Sequence, residues 1–549
     1  MKKRILMCTE ASYLPTGYGV YTKELLSRLV QNDGFEIAEL ACYANALDGR
    51  IKNIPWHVYA NKPLEGTPEM SVYENSPTAE FGEFTFNTVC LDFMPDFVVD
   101  IRDPWVFEFQ TRSPFRKFFK HVLMPTVDAA PQNPDWIDMF SEADAILTYS
   151  EFGKSVIEEQ SDSNNFVGIA SPCASDNFYR MENKDENRAI HRLPTDIYIV
   201  GTVMRNQRRK LFPELFRDFS EYLKQTGRKD VYLYCHTSFP DVGWCIPELL
   251  MEYGLSTRVL FTYKCKNCDA VTSSFFKDSV SHCGRCGHFQ NNLVGVGNGI
   301  SEQELCKVYN LFDIYVQYAN SEGFGMPQLE AAKCGNVVMS INYSAMSSII
   351  DNIDAIPIPV AHLTKECETG CMRAIPCGKS FVRILKDLLN TSKSELSIMG
   401  EAIQKSSLKA YNWDKTAREW ENYFTETPVY DINSTWFSKI EQGQPAAFDE
   451  RYLLPSHRAD YLIRDVLGKP ELIGRKIWRR LIKDLTYGSR VENAGNTFYF
   501  NESHIKDNLR TIPFGFEAAY EFISDLRDYH NTWEGHRRTA YTERIKNYG

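Results

Sequence analysis

Ser321–Gly335 reads SEGFGMPQLEAAKCG. Glu322-Gly323-Phe324-Gly325 is a glycine-punctuated loop. Pro327 follows where the first turn of a helix tolerates it, because its missing N–H would have no partner there. Gln328–Lys333 are good helix formers, and Gly335 is a natural stop. Just upstream, Asp313–Ala319 (DIYVQYA) has the aromatic and β-branched composition of a strand. Strand, glycine loop and helix start together present backbone N–H groups and the positive end of a helix dipole to an anion. Glu322 and Glu330 put two carboxylates beside that site. Carboxylates repel phosphate, so they suit hydrogen bonds from sugar hydroxyls.

The same strand–loop–helix pattern recurs twice upstream. Asp196–Val203 (DIYIVGTV) reads as a buried strand running into the basic loop Met204–Lys210, MRNQRRK. A helix follows, with Phe212, Leu215, Phe216, Phe219 and Leu223 at helical spacing. A basic loop at the carboxyl end of such a strand is a natural diphosphate clamp, since Arg offers a planar fork and Lys a point charge. Near the N-terminus, Arg4–Cys8 reads as a strand. Thr16-Gly17-Tyr18-Gly19 is the loop after it, and a helix carries Val20, Leu25, Leu26, Leu29 and Val30 on one face. The full GxGxxG is missing, which disfavours a dinucleotide cofactor. Further strands are expected at Glu36–Ala41, Phe97–Ile101, Ala145–Tyr149, Phe166–Ala170, Val231–Cys235 and Arg258–Tyr263. Asp103 follows the Phe97–Ile101 strand, at the edge where open α/β sheets bind ligands. Arg180–Pro194 is polar and reads as a linker between two doubly wound units.

Between the Arg258–Tyr263 strand and the helix expected at Ser301–Leu311 lie about 35 further residues. They contain Cys265-x2-Cys268, then 14 residues, then Cys283-x2-Cys286. Two such knuckles supply four thiolates for a tetrahedral zinc with no open position, so the metal is expected to be structural. Cys367, Cys371 and Cys377 form a looser group without regular metal-ligand spacing. The chain has 549 residues and a formal net charge of −11, which argues against a surface that grips nucleic acid everywhere. Residues 431–549 hold 18 Lys and Arg against 17 Asp and Glu, so their balance is +1 and residues 1–430 carry −12. The basic amphipathic stretch Gly474–Lys483 includes Arg475, Lys476, Trp478, Arg479 and Arg480. His536–Tyr541 is a second basic-aromatic patch. No apolar run reaches the ~20 residues that span a bilayer. Without a signal-like segment, a cytoplasmic protein with its 15 cysteines reduced is expected. Peripheral contact of the 474–485 stretch with an anionic membrane is one alternative.

Glu322-x7-Glu330 within this loop and helix, together with the basic loop, resembles the signature of retaining glycosyltransferases of family 4. The resemblance covers about residues 1–425, ending with Asn412–Phe424, which is similar to the family's C-terminal crossover helix. It implies an α/β GT-B fold of two Rossmann-like domains, 1–190 on the acceptor side and 195–425 for the nucleotide sugar. A zinc ribbon at 264–298 and an extension at 431–549 are then additions. The resemblance further implies that Glu322 lies near the donor sugar and Glu330 holds the nucleotide ribose. Arg205 and Lys210 match its phosphate clamp, and Gly17, Gly19, Gly323, Phe324, Gly325 and Met326 match its donor-binding loops. Asp103 is a candidate contact to donor or acceptor sugar. The implied activity moves a sugar from a UDP- or GDP-sugar to an acceptor hydroxyl, with retention and without a divalent cation. The expected acceptor is a hydroxylated base in DNA, with a glycan, lipid or protein as the alternative. A non-enzymatic zinc-ribbon binding protein on a degenerate transferase scaffold is the competing class.

Overall fold

The computed structural model describes residues 2–67, 70, 73, 74, 78–106, 108–113, 115–277, 279–295 and 297–436. The basic stretches at 474–483 and 536–541 lie outside the described residues.

The first half is a parallel sheet. Its strands are β1 (Lys3–Glu10), β2 (Phe35–Asn45), β3 (His57–Lys62), β4 (Phe97–Arg102), β5 (Lys120–Pro125), β6 (Ala145–Thr148) and β7 (Phe166–Ile169). Their spatial order is β3-β2-β1-β4-β5-β6-β7. Helices cover both faces of such a sheet, so its strands are apolar throughout rather than alternating. Ile5, Leu6, Met7 and Cys8 are accordingly all fully buried. Thr16 caps the helix Gly17–Leu29, its Oγ1 accepting from Gly19 N at 3.1 Å. The glycines expected in a loop therefore form the first turn of that helix.

The second half repeats the plan with β8 (Tyr198–Val203), β9 (Val231–His236), β10 (Val259–Cys265), β14 (Ile314–Gln317), β15 (Val337–Ile341) and β16 (Ile356–Ile358). The order here is β10-β9-β8-β14-β15-β16, again parallel. Strand order reverses beside β1 in one sheet and beside β8 in the other. Such reversals open a crevice at the carboxyl ends of the strands.

The stretch 180–194 is no simple linker. It holds the helix Lys184–Ile190, whose Arg188 donates to Leu311 O and to the Asp313 carboxylate, both at 2.8 Å. Asp313 Oδ2 also accepts from Ile199 N, so this segment is fastened to the second sheet. The helix Trp413–Glu426 crosses back to the first half and lies on Gly17–Leu29. There Trp420 Nε1 donates to Tyr21 OH at 2.9 Å. Lys3 Nζ donates to the carbonyls of Phe424, Thr425 and Thr427 at the helix end, where orphan acceptors and the negative dipole favour a cation. Trp436, near the start of the extension, is buried against Phe115 and Phe118.

The insertion after β10 is a small ribbon of β11 (Val271–Phe275), β12 (Ser281–His282) and β13 (Phe289–Leu293), all antiparallel. β11 covers the edge of β10 that β9 leaves free, and β13 continues alongside β10 where β9 has ended. Cys265 is the last residue of β10, so the knuckles grow from the core sheet. After β16, the strands β17 (Val360–Lys365) and β18 (Met372–Pro376) form a separate antiparallel hairpin. Among the described residues no helix is long and apolar enough to cross a membrane.

Candidate active site

Two loops of the second sheet are zipped together where its strand order reverses. Lys210 bridges Ala319, Leu211 N donates to Tyr318 O at 2.9 Å, and Asn320 N donates to Arg209 O at 2.9 Å. The loop after β8 is thereby laid against the end of β14, and its last cations reach Glu322. The Lys210 ammonium donates to Glu322 Oε1 and Arg209 Nη1 to Oε2 at 2.6 Å. Gln317 Nε2 adds a bond to Oε1 at 2.7 Å. Burial alone would raise the Glu322 carboxyl, but Arg209 and Lys210 outweigh it and bring it down to about 2. Burial and the neighbouring charge of Arg209 pull the Lys210 ammonium down to about 8, leaving it protonated at neutral pH.

The glycine loop is fixed from both sides. Glu322 N donates to Ser344 Oγ at 2.9 Å. Gly323 packs so closely on Thr126 of the first half that a β-carbon would collide with the Thr126 methyl. Gly325, at φ 105°, is the N-cap of the helix Met326–Lys333, with Pro327 in its first turn. The Phe324 ring does not face the cleft. It is buried edge-on against Tyr411, 5.6 Å between centroids. One turn further on, Glu330 Oε2 accepts from Tyr309 OH at 2.6 Å. Burial lifts the Glu330 carboxyl to about 7. The two carboxylates of the motif thus sit at opposite ends of the scale, one held ionised by cations and one poised near neutrality.

The opposing wall comes from the first sheet's own reversal point. Asp103, just past β4, accepts from Tyr18 OH at 2.8 Å, and Tyr18 OH lies 2.7 Å from Thr126 Oγ1. Burial, with Asp128 adding to it, lifts the Asp103 carboxyl, against the Tyr18 bond and the charge of Arg209 across the cleft. Gly19 is packed against the carbonyls of Ala11 and Leu14, whereas Gly17 stands exposed with open space where a side chain would be. A latch joins the two walls. Arg373 of β18 donates to Asp128 Oδ2 and to Ser321 Oγ, each at 2.7 Å, and to Glu366 at 2.7 Å.

Arg205 is not brought to Glu322. Half-exposed, it pairs with Asp241 at 3.0 Å. The second cation on Glu322 is Arg209, which the sequence reading passed over. Four of the seven residues in Met204–Lys210 are cationic, and only the bridge of Lys210 to Ala319 selects among them. Asp128 and Arg373 were also missed, and no sequence pattern marks them.

Away from the cleft, the sulfurs of Cys265, Cys268, Cys283 and Cys286 all lie within 4.8 Å of one another. The Cys265–Cys286 and Cys268–Cys283 separations are 3.7 Å. A tetrahedron with its centre ~2.3 Å from each sulfur has edges of about 3.8 Å, so the set fits one zinc. Cys367, Cys371 and Cys377 form no comparable group among the described residues. Cys367 is exposed, Cys371 is buried, and Cys377 caps the helix Gly378–Leu389.

No family model and no curated protein matches the sequence. Solved structures do match. Sucrose-phosphate synthase of Thermosynechococcus elongatus aligns at a TM-score of 0.55 and 14% identity, over 78% of this chain and 99% of that one. HepE of Anabaena, solved with UDP and glucose, aligns at 0.53 and 11%, over 77% of this chain and all of the other. A glycosyltransferase of Rickettsia africae aligns at 0.52 and 14%, over 77% and 98%. Likeness at such low identity is one of architecture: the chain has the two-sheet GT-B fold of these glycosyltransferases.

Proposed function

We infer that this chain is a glycosyltransferase that uses a nucleotide sugar. The observation that carries the reading is Glu322, ionised and held by Arg209 and Lys210 where the reversal points of two Rossmann-like sheets meet. The diphosphate lies at the start of the helix Met326–Lys333, where backbone N–H groups and the dipole favour an anion. Arg209 and Lys210 keep donors free for it beyond those spent on Glu322. Arg205 belongs to the same loop. To reach the diphosphate it would have to leave Asp241, whose side chain is 5% exposed and which it holds through two bonds of 3.0 Å. Glu330 accepts from the ribose hydroxyls of a UDP- or GDP-sugar, and Glu322 with the backbone of Gly323–Met326 orients the sugar.

In the reaction the bond from the anomeric carbon to the diphosphate oxygen breaks and a bond to the acceptor oxygen forms. The cations stabilise the departing diphosphate, and the acceptor's proton leaves with that charge. Asp103, held by Tyr18, contacts the donor or acceptor sugar from the first half, and Gly17 and Gly19 belong to the donor-binding loop. Retention is proposed from the resemblance of the Glu322–Glu330 motif, as is transfer without a divalent cation. The working division is 1–190 for the acceptor and 195–425 for the donor. One zinc, held by the four ribbon cysteines, orders residues 264–298 and takes no part in the transfer. A hydroxylated base in DNA was expected as acceptor chiefly from the 431–549 extension, most of which lies outside the described residues.

A mass-spectrometric screen of UDP- and GDP-sugars against glycan, lipid, protein and hydroxymethylated DNA, with divalent cations chelated, tests the reading. Sugar transfer or donor hydrolysis supports it. No turnover of any donor, with divalent cations chelated or supplied, would favour the binding-protein alternative.

A further inference from the structure

The first half carries an aromatic wall beside Asp103 that the donor reading does not use. Tyr43 near the end of β2, Phe81, and Trp105 two residues past Asp103 meet edge to face. Their centroids are 6.2 Å apart for Tyr43–Phe81 and 4.9 Å for Phe81–Trp105. The wall is open to water, with Trp105 55% exposed and Tyr43 38% exposed. Tyr43 is held there by a backbone φ of 63°, a conformation that non-glycine residues seldom adopt. Exposed aromatic faces of this size are the informative exception on a surface, and they mark contact sites.

Glu10, the last residue of β1, is in register with Cys42, the neighbour of Tyr43 on β2. One of its carboxylate oxygens is buried and without a hydrogen-bond partner, a state that costs free energy unless a ligand supplies a donor. Its charge acts on both Tyr43 and Asp103, and Asp103 in turn faces Arg209. Tyr43 and Glu10 thus sit at the carboxyl ends of neighbouring strands, and Trp105 and Asp103 follow the end of β4 in the same sheet. The cation at this rim is already engaged: Arg50 lies over the Tyr13 ring at 4.2 Å and pairs with Asp48 at 2.6 Å.

We propose that this wall is the acceptor subsite and that it binds an uncharged saccharide. The inference rests on the glycosyltransferase reading and names its acceptor. The apolar C–H face of a sugar ring stacks on Trp105 and Tyr43. Its hydroxyls donate to Glu10 and Asp103, whose carboxyl oxygens accept, most strongly when ionised. The hydroxyl nearest Asp103 is the one presented to the donor. A phosphate-bearing polymer would bring its charges against Glu10 and Asp103 and would be repelled there.

The test uses the full chain. Tryptophan emission is followed as UDP or GDP is added, and then as maltotriose, cellotriose, chitotriose or a DNA duplex containing 5-hydroxymethylcytosine is added. Transfer to each is measured in parallel. At least one neutral trisaccharide should shift the emission and accept sugar. Trp105→Ala and Tyr43→Ala should each raise that acceptor's KM at least tenfold while nucleotide affinity stays as in wild type, and Trp105→Phe should restore most of the loss. An unchanged acceptor KM in both alanine variants overturns the proposal, as does transfer to the duplex with the saccharides inert. Normal nucleotide binding without any response to saccharides sinks this inference alone, whereas absence of binding of both UDP and GDP removes the transferase reading with it.

Discussion

Glu322 and Glu330 are eight residues apart and chemically opposite, and this contrast determines how each will respond to change. Glu322→Ala would leave the buried Lys210 ammonium beside Arg209 with no counter-charge, at a cost of about 3 kcal/mol. We expect a lower melting temperature together with loss of transfer. Glu322→Gln, which keeps the volume, should recover part of the stability and little of the activity. Glu330 behaves differently. Its folded pKa of about 7 lies above the ordinary 4.5, so the folded state holds this proton the more tightly. Its contribution to stability is then full below about pH 4.5 and is lost as pH rises through 7. Nucleotide affinity should run the other way, tightening from pH 6 to 7 as the carboxylate forms to accept ribose hydroxyls. Calorimetric titrations over that range, below the point near 8 where Lys210 loses its charge, should give a steeper rise in wild type than in Glu330→Gln. At this scale the sequence displayed both glutamates and Lys210 but not Arg209. Choosing among neighbouring cations takes a bridge made by residues more than a hundred positions away.

At the scale of elements, strands and helices are written locally and could be read. The ties between halves are not local and could not. The β17–β18 hairpin read only as a loose cysteine group, yet its Arg373 fastens Asp128 to Ser321, next to Glu322. Arg373→Ala should leave Asp128 and Glu366 without their shared cation, open the cleft, and raise the radius of gyration seen by X-ray scattering. An unchanged scattering profile and unchanged turnover would show that the latch does not set closure. The close approach at Gly323 gives a second test. Gly323→Ala should cut transfer sharply because the added carbon meets the Thr126 methyl. Thr126→Ser, which removes that methyl and keeps the hydroxyl, should restore it in the double variant. The four-cysteine cluster, by contrast, was legible, since two knuckles at this spacing bring their sulfurs together. About one zinc per chain by elemental analysis is expected, and Cys268→Ser should loosen the 264–298 segment to proteolysis while nucleotide still binds.

For the whole molecule, two sheets of the same strand order face each other through their reversal points, and a crossover helix stitches the last described segment to the first. That architecture was accessible from sequence because each half repeats the same strand–loop–helix grammar, and because one loop carries both glycines and carboxylates. The aromatic wall was not accessible, because Tyr43, Phe81 and Trp105 come from three separate segments with no shared spacing. The central claim is that a nucleotide diphosphate binds where Arg209 and Lys210 meet the start of the helix Met326–Lys333. Its most direct test is the calorimetric affinity of UDP and GDP for wild type, Arg209→Ala, Lys210→Ala and the double variant. A charge-assisted contact is worth about 1.5–3 kcal/mol, so each single variant should weaken the preferred nucleotide at least tenfold and the double variant should abolish measurable binding. A double variant that binds the nucleotide as tightly as wild type would contradict the account.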